Sequence, residues 1–499
     1  MDRIGIIDIG SNSMRVVLIE ITGKRSYEVL DEMKFTVRLG RDMKDGALAE
    51  ARIKAAVDSL KEFKRLCDSY KVDEIIAVAT EAVRKSTNQE EFLTKAKDEA
   101  GIDVKVLSGT KEAYYGYLGT INSMDISSAV LMDIGGSSTE LTWVEDRKIK
   151  ESISLPIGAI VVADKFRLIE SFDEKVQESL KEFLVTLFNE VRWLKKVKNI
   201  PLIGIGGTYR TIGKIHKRKF NYPISHLHNY EIKPNEIIDI FEELKNKDVV
   251  QRSKIKGLPK ERADIFPGSC AEVATIVQQF KFKKIYISTN GLRQGLLYER
   301  LLGEDKALID DILEFSINNL TVNYNLKREH SKHVCELSMN LYSELFLLLG
   351  VSGNADKILK AAALLHDCGV RIGYYNRDEY SFSIIKDTNI DGLTHKEQLM
   401  AAYVTLLEGK KIKGEMKYYE EIVNKDDIDT IEKLSLILAL AEALDRGIDS
   451  NVIKVSCSIE VKEVTLKISS KVVPSLETRA VAEYSEEFEK IFNRKLKVK

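Results

Sequence analysis

Two short runs in this sequence carry the residue types from which a phosphate site is built. DIGSNS (8–13) and DIGGSS (133–138) each end an apolar stretch with Asp and continue with glycine and small hydroxyl or amide residues. Glycine lets the backbone turn with its N–H groups inward, Ser and Asn add donors, and the Asp is placed to hold a metal directly or through water. One such turn alone is also an ordinary strand exit. The recurrence is more informative. Laying IIDIGSNSMRVVLIE (6–20) over LMDIGGSSTELTWVE (131–145) pairs Asp8 with Asp133, Ile9 with Ile134, Gly10 with Gly135, Ser13 with Ser138 and Glu20 with Glu145, all at an offset of 125 residues. Two copies are too few for a solenoid and point to two related lobes enclosing a ligand cleft.

Other phosphate motifs are absent. The Gly-Lys pairs at 23–24, 213–214 and 409–410 continue as Arg25, Ile215 and Lys411, whereas a P-loop needs Ser or Thr. In GIGGTYRTIG (204–213), Tyr209 stands where a dinucleotide fingerprint needs its third glycine. That run reads as a third loop, from strand to helix, contacting a phosphate through residues such as Gly207 and Thr208.

The elements that must position these turns follow from periodicity. Runs 4–9, 14–21 and 27–37 read as a β meander, ARIKAAVDSLKEFKRLCDSY as an amphipathic helix, and EIIAVAT as a buried strand. EAVRKSTNQEEFLTKAKDEAG reads as one helix closing at Gly101, followed by strand VKVL (104–107) and a helix over 110–120. SSAVLMDIGGSSTELTWVE then opens a second strand, turn, strand unit. From about 305 the pattern is nearly all helical, and the tail returns to β signals in NVIKVSCSIE and EVTLKISSKVV before a charged helix around 476–492 and a final LKVK. The division is therefore two α/β lobes (1–124 and 125–304), a helical domain (305–450) and a small α+β module (451–499).

Composition excludes several classes. The 76 Lys+Arg nearly cancel 77 Asp+Glu, so global charge names no partner and no nucleic-acid polymer is expected. Local basic clusters remain, at Arg210, Lys214, Lys217, Arg218 and Lys219 and at Arg252, Lys254, Lys256, Lys260 and Arg262. They read either as a polyanion path or as a solvated face. Five scattered cysteines with no C-x-x-C pair fit a reducing compartment. No signal peptide or membrane span is read, and a cytoplasmic location is expected.

Eight segments, in order, resemble the exopolyphosphatase/guanosine pentaphosphate phosphohydrolase (Ppx/GppA) family: DIGSNSMRVVLIE, VATEAVR (78–84), LSGTKEAYYGYLG (107–119), DIGGSSTEL (133–141), SLPIGA (154–159), GIGGT (204–208), RADIFPG (262–268) and STNGLRQGLLYE (288–299). That family belongs to the actin, sugar-kinase and heat-shock chaperone ATPase superfamily, with a ribonuclease H-like fold in each lobe. The resemblance implies removal of terminal phosphate from inorganic polyphosphate, or of the 5′-γ-phosphate from guanosine pentaphosphate, with Mg²⁺ (Mn²⁺ able to substitute) and water. It also implies Glu112 as the base; Asp133 as principal metal ligand with Asp8 and Glu140 as further acids; and Ser11, Asn12, Ser13, Gly135, Gly136, Ser137 and Ser138 as the phosphate cradle. Arg84 and Arg262 match family positions suited to bidentate phosphate contacts. By residue type alone, Glu112 reads as a solvated helical Glu, and only its place in the family motif reverses that reading. A regulatory protein sensing polyphosphate or a guanosine alarmone with poor turnover is the alternative from another class, and a sugar kinase a weaker third.

The similarity extends to long members that append a helical HD-type domain, through which such proteins pair as homodimers. His330, the His366-Asp367 pair and Asp445 follow the order of the HD phosphohydrolase metal constellation. Here, however, Asn376 is followed by Arg377, Asp378, Glu379 and Tyr380 where long members carry a histidine-containing run, and LEGKKIKGE (407–415) lacks a second histidine. The four residues read as a degraded metal site or as a hydrogen-bonded structural group; His333 and His395 have no assigned role.

Overall fold

The computed structural model describes residues 2–169, 172–304, 307–326, 328–351, 353–407 and 419–499. The chain forms two compact units, one of residues up to 222 with 227–312, the other of 223–226 with 313–499.

The first unit contains both lobes. Its first sheet uses β1 (Asp2–Ile9), β2 (Met14–Gly23), β3 (Ser26–Phe35), β4 (Glu74–Ala79) and β5 (Val104–Val106), in the order β3-β2-β1-β4-β5. Helices α1 (Glu50–Ser69), α2 (Glu81–Arg84), α3 (Gln89–Ala100) and α4 (Gly109–Ile121) are interleaved with it. The second sheet uses β6 (Ala129–Ile134), β7 (Thr139–Glu145), β8 (Lys148–Leu155), β9 (Leu202–Ile205), β10 (Tyr230–Ile232) and β11 (Ile285–Ile287), in the order β10-β11-β9-β6-β7-β8. Its helices are α5 (Ala159–Lys165), α6 (Glu174–Glu190), α7 (Gly206–Lys219), α8 (Pro234–Lys245), α9 (Val249–Arg252), α10 (Phe266–Phe280) and α11 (Leu292–Leu302). In each sheet the Asp-bearing strand is antiparallel to its hairpin partner and parallel to the strand on its other side. The internal repeat is thus a repeat of topology, β10 being an addition at one edge.

The central strands are buried on both faces, which is why β1 reads GII and β6 reads AVLM without alternation. α11 follows the second sheet in the chain but packs on the first: Leu296 and Leu297 pack with Ile4, Ile6, Val17 and Ile19. It crosses α4 closely, and a Cβ on Gly295 would collide with the Tyr115 carbonyl. α4 in turn packs on the second sheet, where Tyr117 Oη donates to the Arg147 carbonyl at 2.6 Å.

Three segments depart from the sequence reading. The single helix expected over 81–101 breaks into α2 and α3, because Asn88 turns its side chain to the backbone of Leu48 (2.8 and 3.1 Å) and Thr87 N–H donates to Gly46 O (2.9 Å). Short polar side chains offer the backbone such alternatives to a helix. GIGGT is not a loop: β9 passes directly into α7 at Gly206, whose φ of +83° makes the turn. The charged tail helix is two helices.

The second unit holds α12 (Ile312–Asn323), α13 (Arg328–Glu344), α14 (Phe346–Leu349), α15 (Ala355–Leu365), α16 (Arg377–Asp387), α17 (His395–Leu407) and α18 (Lys425–Leu444). β12 (Val452–Ile459), β13 (Glu463–Ser470), α19 (Ser475–Ala482), α20 (Ser485–Phe492) and β14 (Lys495–Val498) follow. α18 is buried all round over Leu434–Ala441, and its capping box at Asn424 and Asp427 fixes its start. The small sheet joins the helices through Val455 N–H to Asn340 and Cys457 N–H to Glu344, both 2.8 Å. The run read at 407–415 lies outside the described residues from 408 on, as do 305 and 306 at the expected domain boundary.

Candidate active site

A cleft of about 410 Å³ lies between the two lobes of the first unit. The two matched turns form facing walls. Gly10 N–H donates to Ser13 O (3.2 Å) in one and Gly135 N–H to Ser138 O (2.9 Å) in the other. Ser11, Asn12 and Ser13 line it from the first lobe, and Gly135, Gly136 and Ser138 from the second. The turns approach so closely that a Cβ on Gly136 would lie 2.9 Å from the Ser11 Cβ, so glycine there is a packing requirement. Asn12 Oδ1 is buried without a hydrogen-bond partner. The N-terminus of α7 adds Gly206 and Gly207 to the lining, where free N–H groups favour an anion.

Five carboxylates and four guanidinium groups share this cleft: Asp8, Glu32, Glu112, Asp133 and Glu140 with Arg15, Arg210, Arg262 and Arg293, Glu32 pairing with both Arg15 and Arg293 at 3.1 Å. Burial pushes the Asp133 carboxyl up to about 6 despite Arg210 nearby. Burial and the neighbouring Asp133 charge raise Glu140, and burial with the Glu140 charge raises Glu112 well above the ordinary range. Burial also raises Asp8, opposed by Arg293 and Arg15. The cations are perturbed in the opposite sense. Burial and the surrounding arginines lower Arg210 to about 10, and burial with Arg15 lowers Arg262 to about 10. Both signs of charge are thus held where water stabilises them poorly, the condition under which a bound polyanion and cation gain most.

Glu112 sits in the first turn of α4, whose N-cap Ser108 accepts from Lys111 N–H at 3.2 Å. Arg84 does not line the cleft. Its guanidinium bonds Glu112 (3.0 Å), the Leu107 carbonyl (2.6 Å) and Glu81, so its fork is occupied in positioning Glu112. Ser137 and Thr208 also fall outside the lining. Thr208 is fully buried, and its hydroxyl lies 3.2 Å from Arg262. Arg262 does line the cleft, and its Nε is buried without a partner. Glu140 accepts from Ser154 at 2.8 Å.

Arg15, Arg210 and Arg293 were not read from the sequence as site residues. The signal for Arg15 was available: it lies directly opposite Asp8 across the β1–β2 pair, as Glu140 lies opposite Asp133 across β6–β7. The two basic clusters do not form one path. Arg210 and Arg262 turn into the cleft, Arg252 is buried over the Phe172 ring, Lys217 lies over Tyr222 and Tyr230, and Lys219 pairs with Glu243. On the cleft's flank, Arg38 of the first lobe reaches Asp264 of the second at 2.6 Å, and Arg41 joins it at 3.2 Å.

Residues 17–304 match the Ppx/GppA phosphatase family and residues 312–485 match its domain III. The chain belongs to the Ppx/GppA phosphatase family. Among curated proteins it is similar to a guanosine-5′-triphosphate,3′-diphosphate pyrophosphatase of Photobacterium profundum, 25% identical over 79% of this chain and 78% of that protein. It is also similar to a bifunctional 3-dehydroquinate synthase/phosphatase of Fusobacterium nucleatum, 32% identical over 59% of this chain but only 46% of that protein. Among solved structures it resembles an exopolyphosphatase from Cytophaga hutchinsonii, 26% identical, TM-score 0.58, covering 62% of this chain and 100% of that one. The Aquifex aeolicus Ppx/GppA family member is 30% identical, TM-score 0.51, covering 61% and 99%. Both lobes of this Ppx/GppA protein, with their matched sheets, are consistent with an actin-like fold. Among the described residues, no helix is long and apolar enough to cross a membrane.

Asp8, Asp133 and Glu140 do not form a compact three-ligand cage; among the described residues the group of ligand atoms lying mutually within 4.8 Å is His330, His366 and Asp367. A hard cation that keeps its waters and takes one or two carboxylates plus phosphate oxygens fits such an open, all-oxygen set.

Proposed function

We propose that this protein is an exopolyphosphatase, releasing terminal orthophosphate from inorganic polyphosphate by attack of water. The observation that carries this is the convergence of four arginines and five carboxylates on one interlobe cleft. Arginines match the charge and fork geometry of phosphate oxygens, while a buried carboxylate beside them is suited to take a proton.

In the reaction, Arg15, Arg210, Arg262 and Arg293 hold the end of the chain, with N–H groups of the two turns and of the α7 start completing the cradle. Asp133, with Asp8, would hold Mg²⁺, whose bound charge neutralises oxygens of the transferred group. Glu112, held by Arg84, orients a water for in-line attack. As the water oxygen bonds to the terminal phosphorus, its proton passes to the Glu112 carboxylate. The bridging P–O bond breaks and its electron pair leaves on the shortened chain. That chain's new terminal phosphate is already a stable anion and needs little proton help. Burial and the neighbouring Glu140 charge raise the affinity of Glu112 for protons, the direction a general base needs.

Removal of the 5′-γ-phosphate from guanosine pentaphosphate is the second reading, favoured by the apolar side chains Val17, Ile19, Val29 and Leu292 on the same cleft wall, where a nucleoside would pack. Side-by-side phosphate release from long polyphosphate, short polyphosphate, guanosine pentaphosphate and ATP, with Mg²⁺, tests both. Polyphosphate should be turned over fastest. No release from either polyphosphate or guanosine pentaphosphate overturns the enzyme reading and leaves a sensor of these ligands. Homodimerisation and a cytoplasmic location are part of the same proposal.

A further inference from the structure

Glu32 is an acid of the cleft that neither the family resemblance nor the proposed reaction assigns. It lies on β3 opposite Val17 of β2, one step diagonally from Arg15, whose own partner is Lys34. Long side chains meet across such a diagonal on one sheet face. Glu32 Oε1 stands 3.1 Å from Arg15 Nη1 and 3.1 Å from Arg293 Nη2, so one carboxylate oxygen bridges two of the four cleft arginines. All three side chains line the cleft.

The bridge is not what seats α11 on the first sheet. Gln294 Nε2, next to Arg293 in the same first turn, donates to Tyr27 Oη of β3 at 2.7 Å, and Leu296 and Leu297 pack against the strands. Nor does it serve the attacking water, since the charges that act most on Glu112 come from Glu140, Arg84 and Asp133. Glu32 is a resident anion on two guanidinium groups that an incoming phosphate needs. Burial works against its charge, yet Arg293 and Arg15 hold its carboxyl below the usual range. Its side chain is 44% exposed, against 20% for Arg15 and 19% for Arg293. Ion pairs this open to water contribute little, so the carboxylate is the member that exchanges at low cost. A phosphate replacing it brings more charge and more oxygens to the same two forks.

We infer that Glu32 is a ligand-selecting residue, an internal competitor that occupies Arg15 and Arg293 until a phosphate chain of higher charge displaces its carboxylate. Single small anions gain little by replacing one negative group with another, whereas a chain gains through every phosphate that reaches a further arginine. The inference deepens the exopolyphosphatase reading and rests on it for the class of ligand.

The test is calorimetric titration of the full-length protein with sodium tripolyphosphate and with orthophosphate, in chelator to prevent turnover, for wild type and Glu32→Gln. The variant should bind both probes at least about 10-fold more tightly, the worth of one charge-assisted contact set free. In steady state its KM for long polyphosphate should fall without a rise in kcat. Glu28→Gln, which removes an exposed acid from the same strand, should leave both affinities unchanged and so separates local competition from net charge. A bridge that merely placed the arginines would move the readout the other way, because misplaced guanidinium groups bind phosphate less well. Looser or unchanged binding of either probe by a folded Glu32→Gln, or equal tightening by Glu28→Gln, overturns the inference. Folding is checked by far-UV circular dichroism; if Glu32→Gln does not fold, Glu32→Asp, too short to span both guanidinium groups, decides by the same criterion. Phosphate release by wild type without tightening in the variant refutes the competitor and leaves the hydrolase standing. Tightening in a protein that releases no phosphate refutes the hydrolase and keeps the competitor.

Discussion

The two lobes of the cleft share a frame and differ in sign. Each presents an Asp-Ile-Gly turn between antiparallel strands, yet Asp8 faces Arg15 in the first lobe while Asp133 faces Glu140 in the second. Both partners sit at the same offset of 125 residues as the aspartates. Side chains directly opposite on one sheet face are close neighbours, so one lobe pairs a carboxylate with a cation and the other pairs two carboxylates. In the first, Arg15 is also paired with Glu32 at 3.1 Å, and an arriving phosphate would compete for it. The second accumulates negative charge, opposed at Asp133 by Arg210 and available to a metal ion or a proton. Under the proposed reaction, the residue opposite the aspartate would divide the repeated frame into a binding wall and a reacting wall.

The largest effects should fall on the reacting side. Glu112→Gln and Asp133→Asn should each lower phosphate release by about 10²–10⁴-fold while substrate binding, measured by calorimetry, persists. Asp8→Asn should be milder, and equal losses at Asp8 and Asp133 would break the division. On the binding wall, Arg15→Gln removes one charge-assisted contact of about 1.5–3 kcal/mol, and should raise KM by about 10–100-fold with kcat moved less. Arg15→Glu, which makes the first lobe imitate the second, should weaken binding further.

Next comes pH. The Glu140 charge raises Glu112, and a base with a raised value is lost as pH falls through it. Glu140→Gln removes that like charge, so the acid limb of whatever activity remains should move to lower pH; a shift upward would contradict the charge accounting. Gly206→Ala tests the entry to α7. Its φ is +83° and a Cβ would collide with Asp133 Oδ1, so about 1–2 kcal/mol of stability should be lost, read by denaturant melts, together with activity.

The last prediction concerns stability alone, at Glu272, fully buried behind the second turn, with one oxygen accepting from Thr139 (2.9 Å) and the other unpartnered. Burial lifts its carboxyl from 4.5 to about 8. A raised carboxyl stabilises the fold at low pH and loses that contribution as pH climbs toward the folded value. The thermal midpoint of Glu272→Gln should therefore gain on wild type between about pH 5 and pH 8 and hold a constant lead above.

The strands, their turns and the duplication were legible because burial on both faces leaves uninterrupted apolar runs and because Gly and Ser mark the turns. Motif resemblance placed Glu112, Asp133 and most of the cradle on the cleft, but not Ser137 or Thr208, which lie outside its lining. What escaped depended on three-dimensional partners. Whether a guanidinium faces a phosphate or another side chain is not written in its neighbours along the chain, so Arg84, tied to Glu112 and Glu81, and Arg15, turned into the cleft, could be exchanged in a sequence reading. The break between α2 and α3 depends on Leu48, forty residues away, and the sequence pattern carries no trace of that contact.

The return of α11 to the first sheet sets a limit on how this molecule can be divided. A fragment ending near residue 124 would leave Ile4, Ile6, Val17 and Ile19 without the cover that Leu296 and Leu297 provide. A fragment beginning there would carry α11 with no sheet to rest on. Neither lobe draws its whole core from one continuous stretch of chain, and the two fragments are expected to recover a native cleft only by complementation, when both polypeptides are present together.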